Sequence, residues 1–347
     1  MAPAPPKNPP NPVVIDLNAA IVQVADALPQ IVVVRPQENG EESDQDIWDA
    51  LPFGPFDPFT HRTMEIGLRA WVQEQTQIGL GYVEQLYTFG DRGRHALEAE
   101  KGTDHIVSVG YLALTRGGEE RAGVSWRSWY QYFPWEDWRD GRPAILDKVI
   151  LPLLQDWASE AKGTESDELA RGRRRDRARL TFGLDGGTCD EKSWDEENVL
   201  ERYELLYEAG LVREALRDGR PNAAGLEKDN TPQLGVPMQF DHRRILATAI
   251  SRLRAKLKYR PVVFELMPDT FTLYELQRTS EALLGLHVHK QNFRRLVEKA
   301  GLVERTGRMS THTGGRPAEL FRFRREIFNE RPAPGLRLAP SRTRANT

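Results

Sequence analysis

The sequence predicts an α/β protein that carries a second, smaller unit at its C-terminal end. Three observations predict it. Apolar strand-like runs alternate with single amphipathic helices along the first part of the chain, an order that favours a sandwich over a doubly wound sheet. A stretch rich in Gly, Pro and Asn, residues 218–237, then interrupts the pattern. Beyond it the charge changes sign. Residues 241–330 hold 18 Lys/Arg against 10 Asp/Glu, a net of +8, whereas residues 1–240 hold 26 against 41, a net of −15. The whole-chain value of −3 conceals this split, which sets a unit suited to polyanions beside one with another task.

The elements follow in order. Val13–Ile15, Ala19–Ala25 and Ile31–Arg35 read as strands, with a turn at Asp26–Pro29. Glu38–Asp49 is an acidic loop, and three prolines stiffen Leu51–Pro58. A helix is predicted over Arg62–Thr76, a strand over Gly81–Phe89, a turn over Gly90–Gly93 and a long strand over Asp104–Thr115. Trp126, Trp129, Tyr130, Tyr132, Phe133, Trp135 and Trp138 form an aromatic cluster, read as a secondary core or dimer surface, or as rings that stack on a base. Ile145–Ala158 and Trp194–Ala209 are amphipathic helices. Between them Arg171–Arg179 packs six arginines into nine residues, read as disordered linker or as a phosphate contact. Leu180–Leu184 is a further candidate strand, and Asp241–Lys258 a basic helix opening the C-terminal unit. The proline-rich residues 1–12 and residues 329–347 read as disordered tails. This leaves units at 13–217 and 238–328, joined by a linker at 218–237.

The C-terminal unit is the more explicit. Thr272 and Glu275 have the spacing of a capping box, and Leu273, Leu276, Leu283 and Leu284 form an apolar stripe ended by Gly285. After a short turn, a second helix over His289–Ala300 sets Phe293, Leu296, Val297 and Ala300 on one face and stops at Gly301. A strand from Leu302, a Gly/Ser/Thr/His-rich tip and the alternating Glu319–Arg324 complete a wing. The whole reads as a winged helix-turn-helix for duplex DNA, against a plain helical hairpin with a solvated basic face. Gln291, Asn292 and Arg295 are candidates for base edges, because Asn and Gln pair with adenine and Arg with guanine. Lys290, Arg294, Lys299, Arg308 and Arg316 are candidates for phosphate, with the minor groove a second option for Arg316. His287 and His289 form an H-x-H pair, but no Cys or acid pair accompanies them, so they read as solvent or phosphate contacts.

Composition excludes several classes. One cysteine, Cys189, permits no internal disulfide and fits a reducing cytoplasm. No run approaches 18 apolar residues, and the N-terminus lacks the apolar core of a signal peptide.

Residues 51–91, LPFGPFDPFTHRTMEIGLRAWVQEQTQIGLGYVEQLYTFGD, resemble the box of Nudix hydrolases. In that family a loop Glu and a helix carrying Arg-Glu, a spacer and Glu-Glu hold Mg²⁺ against a pyrophosphate. Aligned by the helix, the box Arg falls at Arg69, its following Glu at Ala70, the Glu pair at Gln73 and Glu74, and the loop Glu at His61. Three of the four carboxylates are replaced, so the resemblance implies a retained fold with no catalytic residues and no metal. With TFTLYELQ, HKQNFRR and GGRPAELFRF further on, the chain resembles bacterial NAD-regulating repressors of the NrtR kind, in particular their NadQ-type branch. That resemblance implies a cytoplasmic homodimer that represses NAD-biosynthesis genes at a near-palindromic operator. It also implies an adenine nucleotide effector (NAD, ADP-ribose or ATP) in the old catalytic cleft. Arg35, Arg69, Arg92 and Arg94 are candidates for the pyrophosphate, Tyr87 or Phe89 for the adenine ring, and Glu74 is the one box acid kept beside them. The competing readings are an active Nudix pyrophosphohydrolase acting on ADP-ribose or a related dinucleotide with acids from elsewhere, and a nucleotide-binding scaffold without DNA contact.

Overall fold

The computed structural model describes residues 13–35, 48–91, 94, 105–159, 165–185, 188–189, 194–223, 233–310 and 317–327. Its centre is a mixed sheet in the order β4-β5-β1-β2-β6, formed by β1 (Val13–Ala25), β2 (Leu28–Val34), β4 (Val83–Phe89), β5 (His105–Leu114) and β6 (Val124–Ser128). A short β3 (Phe53–Pro55) pairs with the first half of β1. β1 and β5 run parallel from Val13↔His105 to Val22↔Leu114, and the other pairs are antiparallel. Asp26 and Ala27, both at positive φ (50° and 57°), make the two-residue turn that joins β1 to β2.

Alternation along β1 sorts the core into two faces. Leu17, Ala19 and Ile21 point to the face covered by α1 (Met64–Thr76), where they meet Leu68, Val72, Val109 and Tyr111. Ala20 and Val22 point to the other, under a thicker layer of helices. That layer contains α2 (Leu151–Ser159), extended at its start by a π-helical turn at Leu146–Ile150, then α3 (Glu165–Phe182), α4 (Val199–Glu208) and the short α5 (Arg213–Arg217). A two-stranded ribbon, β7 (Leu184–Asp185) and β8 (Thr188–Cys189), follows α3. The long α6 (His242–Tyr259) lies against the sheet, and α7 (Leu273–Leu284), α8 (Lys290–Ala300), β9 (Val303–Ser310) and β10 (Ala318–Phe323) complete the chain. The architecture is a Nudix-like α/β/α sandwich with a winged helix at its C-terminal end. No helix among the described residues is long and apolar enough to cross a membrane.

Five sequence expectations need correcting. Val13–Ala25 is one strand, because β3 and β5 pair with it on both sides across the polar Asp16 and Asn18. Arg171–Arg179 lies within α3 and is no linker: Ala178 and Phe182 are buried, Arg174 lies over the Trp157 ring at 4.8 Å, and Arg177 pairs with Glu208 of α4. The helix expected from Trp194 begins at Val199. α6 does not open a separate unit; eleven of its residues are buried, Ile245, Leu246, Ile250 and Leu253 among them, in a core continuous with the sheet. The described parts of 218–237 are anchored as well, with Ala223 and Leu234 buried. In the aromatic cluster Trp129, Tyr130, Tyr132, Phe133, Trp135 and Trp138 are buried, in keeping with the core reading, and of the rings expected to stack on a base only the half-buried Trp126 retains surface for a ligand. The two predicted tails, most of the acidic loop, and Arg92 and Arg316 lie outside the described residues.

The winged helix is bolted to the aromatic segment. Carbonyls in the last turn of α7 and just beyond it accept from the other unit: Ala282 from the Tyr130 hydroxyl (2.7 Å), Leu283 from Arg254 Nε (2.9 Å) and Gly285 from the Trp138 amide (2.7 Å). Behind them Glu136 is gripped by Arg202 (2.6 Å) and Arg254 (2.7 Å), all three side chains essentially inaccessible.

Candidate nucleic-acid interface

α7 begins as its sequence dictates. The Thr272 hydroxyl accepts from the Glu275 amide (3.1 Å), and the Glu275 carboxylate accepts from the Thr272 amide (2.7 Å). Gly285, at φ +69°, ends it in the left-handed conformation that glycine adopts without steric cost. The turn that follows is held by two side chains of α7 that sequence reasoning passed over. Glu281, buried, accepts from the Val288 amide (3.0 Å) and from Gln277 Nε2 (2.9 Å) and pairs with His287 Nδ1 (3.1 Å). Gln277 also donates to the Val288 carbonyl (3.1 Å). Their signal was a Gln and a Glu four residues apart on the inward face of a helix, which a buried polar clamp requires.

This clamp fixes the launch angle of α8. Phe293 and Val297 are buried beneath it. Lys290, Gln291, Asn292, Arg294, Arg295 and Lys299 are all exposed, as expected for groups that meet a ligand. The wing is anchored by reciprocal backbone bonds between Phe271 and Phe321 (2.9 and 2.8 Å) and by Phe323 stacked on Phe264 at 4.3 Å. On β9, Arg308 is exposed, while Arg305 faces Glu319 and Arg322 pairs with Glu304. An exposed cationic helix 11 residues long, beside a two-stranded wing, has the dimensions to enter a major groove.

The expected effector residues do not meet in one place. Arg69 stays on α1, where Nε binds Glu65 (2.9 Å) and the Nη atoms bind the Leu80 and Gly81 carbonyls (2.8 and 3.3 Å). Glu74 is exposed on the same helix, nine positions from Glu65 and hence half a turn around, so the two carboxylates point apart. Arg35 stands at the end of β2 and pairs with Asp49 (2.9 Å), whose other oxygen accepts from Tyr132 (2.6 Å). Tyr87, Phe89 and Arg94 belong to the opposite face, against α4 and α6. Phe89 is 6% exposed beneath the Arg244 guanidinium and has no free ring face to offer. Arg94 is buried, paired with Glu204 (2.6 Å) and Asp241 (3.4 Å) and stacked 3.9 Å above Tyr207. Burial opposes its charge, but those carboxylates outweigh burial and raise its pKa. Tyr87 alone is open, 56% exposed, in a cavity of about 240 Å³ that it shares with Arg252, Ser251, Glu197 and Glu201. Two acids in that lining oppose a pyrophosphate. Among the described residues the one cluster of three carboxylates that converge is Asp195–Glu197, which belongs to the loop before α4 and not to the box helix.

A family model, the NrtR DNA-binding winged helix domain, matches residues 263–323. That segment of the C-terminal unit resembles the NrtR winged helix. The ADPR responsive transcriptional repressor NtrR of Acinetobacter baylyi is 42% identical over 90 residues, which span 26% of this chain and 36% of that protein. The chain thus matches about a third of the length of that curated relative. Two solved structures extend the likeness beyond the NrtR winged helix to the full fold. Shewanella oneidensis NrtR complexed with a 27mer DNA superposes with a TM-score of 0.51 at 20% identity over 91% of this chain and 95% of that one. Shewanella oneidensis NrtR alone gives 0.50 at 19% identity, over 90% and 94%. At such identity the shared property is the arrangement of a Nudix-like sandwich and an NrtR winged helix in one chain.

Proposed function

We propose that the protein is a DNA-binding transcriptional repressor whose Nudix-like unit senses an adenine nucleotide, with ADP-ribose the first candidate, and that it controls genes of NAD biosynthesis. The observation that carries this reading is α8: six polar or cationic side chains exposed on a helix whose angle is set by the Glu281–Gln277 clamp. The name of the Acinetobacter relative supports ADP-ribose as the signal, and the Shewanella complex supports DNA as the partner. The protein acts as a homodimer in the cytoplasm on a near-palindromic operator, each α8 occupying one half-site about 34 Å from the other. Gln291, Asn292 and Arg295 read bases, and Lys290, Arg294, Lys299, Arg308 and Arg316 hold phosphates.

Effector control requires that ADP-ribose, NAD or ATP bind the DNA-competent and DNA-free arrangements with different affinity. Each candidate arginine among the described residues starts from a carboxylate partner: Arg35 from Asp49, Arg69 from Glu65 and Arg94 from Glu204. A pyrophosphate arriving at any of them displaces an acid, which gives ligand binding a route to move the surrounding elements. The unit hydrolyses nothing, because Ala70, Gln73 and His61 stand where the Nudix box needs carboxylates. A mobility shift against the promoter of its own gene and of a de novo NAD synthesis gene, with and without each nucleotide, tests the proposal. Retardation that ADP-ribose alters supports it; no retardation at low salt removes it.

A further inference from the structure

Many arginines of the sandwich unit that the structure describes are engaged within the protein, whereas α3 gathers within one helix three that are not. Arg174 and Arg177 fasten the helix, the first to the Trp157 carbonyl (3.0 Å) and ring, the second to Glu208. Arg173, Arg175 and Arg179 are exposed and make no ion pair among the described residues. Arg175 and Arg179 lie four residues apart, about 6 Å along the axis and on one ridge with the half-buried Arg171. Like charges at that spacing repel, and Asp176 is the only acid between Arg171 and Arg179, leaving a local charge of +5 from six Arg and one Asp. This is the reverse of the rest of the chain before residue 241, where 20 Lys/Arg stand against 40 Asp/Glu, a net of −20.

The position of α3 is not arbitrary. Arg202 donates to the Thr181 carbonyl in the last turn of α3 (3.1 Å) and grips Glu136. Glu136 also binds Arg254, which donates to Leu283 in the last turn of α7. A parallel path runs through rings: Phe182 to Trp194 (6.3 Å), Trp194 to Trp138 (4.7 Å), and the Trp138 amide to the Gly285 carbonyl (2.7 Å). One buried block therefore holds the end of the arginine helix and the turn of the helix-turn-helix in fixed relation.

We infer that the exposed arginine ridge of α3 is a second phosphate-binding surface, and that it engages the backbone of duplex DNA flanking the segment read by α8. The inference rests on the DNA-binding reading above. The contact carries no base information; it adds sequence-independent affinity and a larger footprint. It also places a positive strip where an otherwise acidic unit would repel the duplex.

The test is the salt dependence of binding by the full chain and by an R175A/R179A variant. Exposed Arg→Ala changes keep helix propensity, and the thermal midpoint checks that the fold is intact. Two duplexes are used, one trimmed to the operator and one extended by roughly 10 bp on each side, about a helical turn. On the extended duplex the slope of log K against log salt should fall by about 2, given a slope of about 0.9 for each of two phosphate contacts. On the trimmed duplex wild type and variant should coincide. Equal slopes on the extended duplex, with wild type binding normally, overturn the α3 surface and leave the recognition helix standing. Failure of the wild type to bind either duplex overturns the DNA-binding reading and this inference with it.

Discussion

Gly285 sits where three requirements meet. It ends α7 at φ +69°, its carbonyl accepts from Trp138, and a Cβ built on it would lie 2.3 Å from the Glu136 carbonyl oxygen. Gly285→Ala should lower stability by more than about 1 kcal/mol, from the left-handed backbone alone, with the clash added. A shift of the urea midpoint at unchanged m-value is the check, and a variant as stable as wild type would show that the contact is loose. On α8, Asn292→Ala or Arg295→Ala should cost about 1–3 kcal/mol of operator binding and relax base preference, whereas Lys290→Ala or Lys299→Ala should weaken binding equally on all sequences. Competition between operator and random duplex distinguishes the two outcomes. The helix-stopping role of Gly285 was legible in the sequence, because the apolar stripe ended there. Its contact with a carbonyl 149 positions earlier was not, since no local pattern encodes a long-range approach. The same limit explains the effector residues. Only the Glu65–Arg69 pairing, at helical i,i+4 spacing, was visible locally; Asp49 and Glu204 reach Arg35 and Arg94 from 14 and 110 residues away.

Among the elements, α7, α8 and the wing were legible because caps, turn glycines and periodicity all agreed there. α3 was misread, since its arginines mask a helical pattern whose fully buried residues, among those described, are Ala178 and Phe182. Its supports, Trp157 and Glu208, belong to other helices. The same block of buried charge sets the most sensitive position at this scale. Glu136 neutralises two guanidiniums in a site closed to water, so Glu136→Gln should destabilise the fold by about 3–5 kcal/mol, by leaving Arg202 and Arg254 uncompensated. Denaturant unfolding measures it. Replacing all three residues with methionine should recover much of the loss, because the desolvation penalty disappears along with the pair.

The molecule as a whole should be inert toward ADP-ribose and NAD in the presence of Mg²⁺, and release of AMP above background would restore the hydrolase reading. Alkaline pH offers a test of how tightly the core is closed. Burial, and for Tyr132 also the neighbouring Asp49 carboxylate, holds the phenols of Tyr132 and Tyr203 above the usual tyrosine range. A pKa raised in the folded state contributes stability that is complete below the unfolded value of about 10 and is lost as pH climbs toward the folded one. Stability should therefore fall above pH ~10, and denaturant unfolding at a series of pH values checks it. The sandwich unit and the winged helix share one apolar interior, which runs from Ala20 and Val22 of β1 through α6 to Phe293 and Val297 of α8. A reader grafted onto some other sensor would leave half of its own foundation behind. Cut after Tyr259, it loses the helix it stands on; cut before His242, it brings along a greasy surface made for a sheet that is no longer there. Exchange of specificity between such regulators is therefore more accessible through the handful of exposed side chains on α8 than through recombination of whole modules.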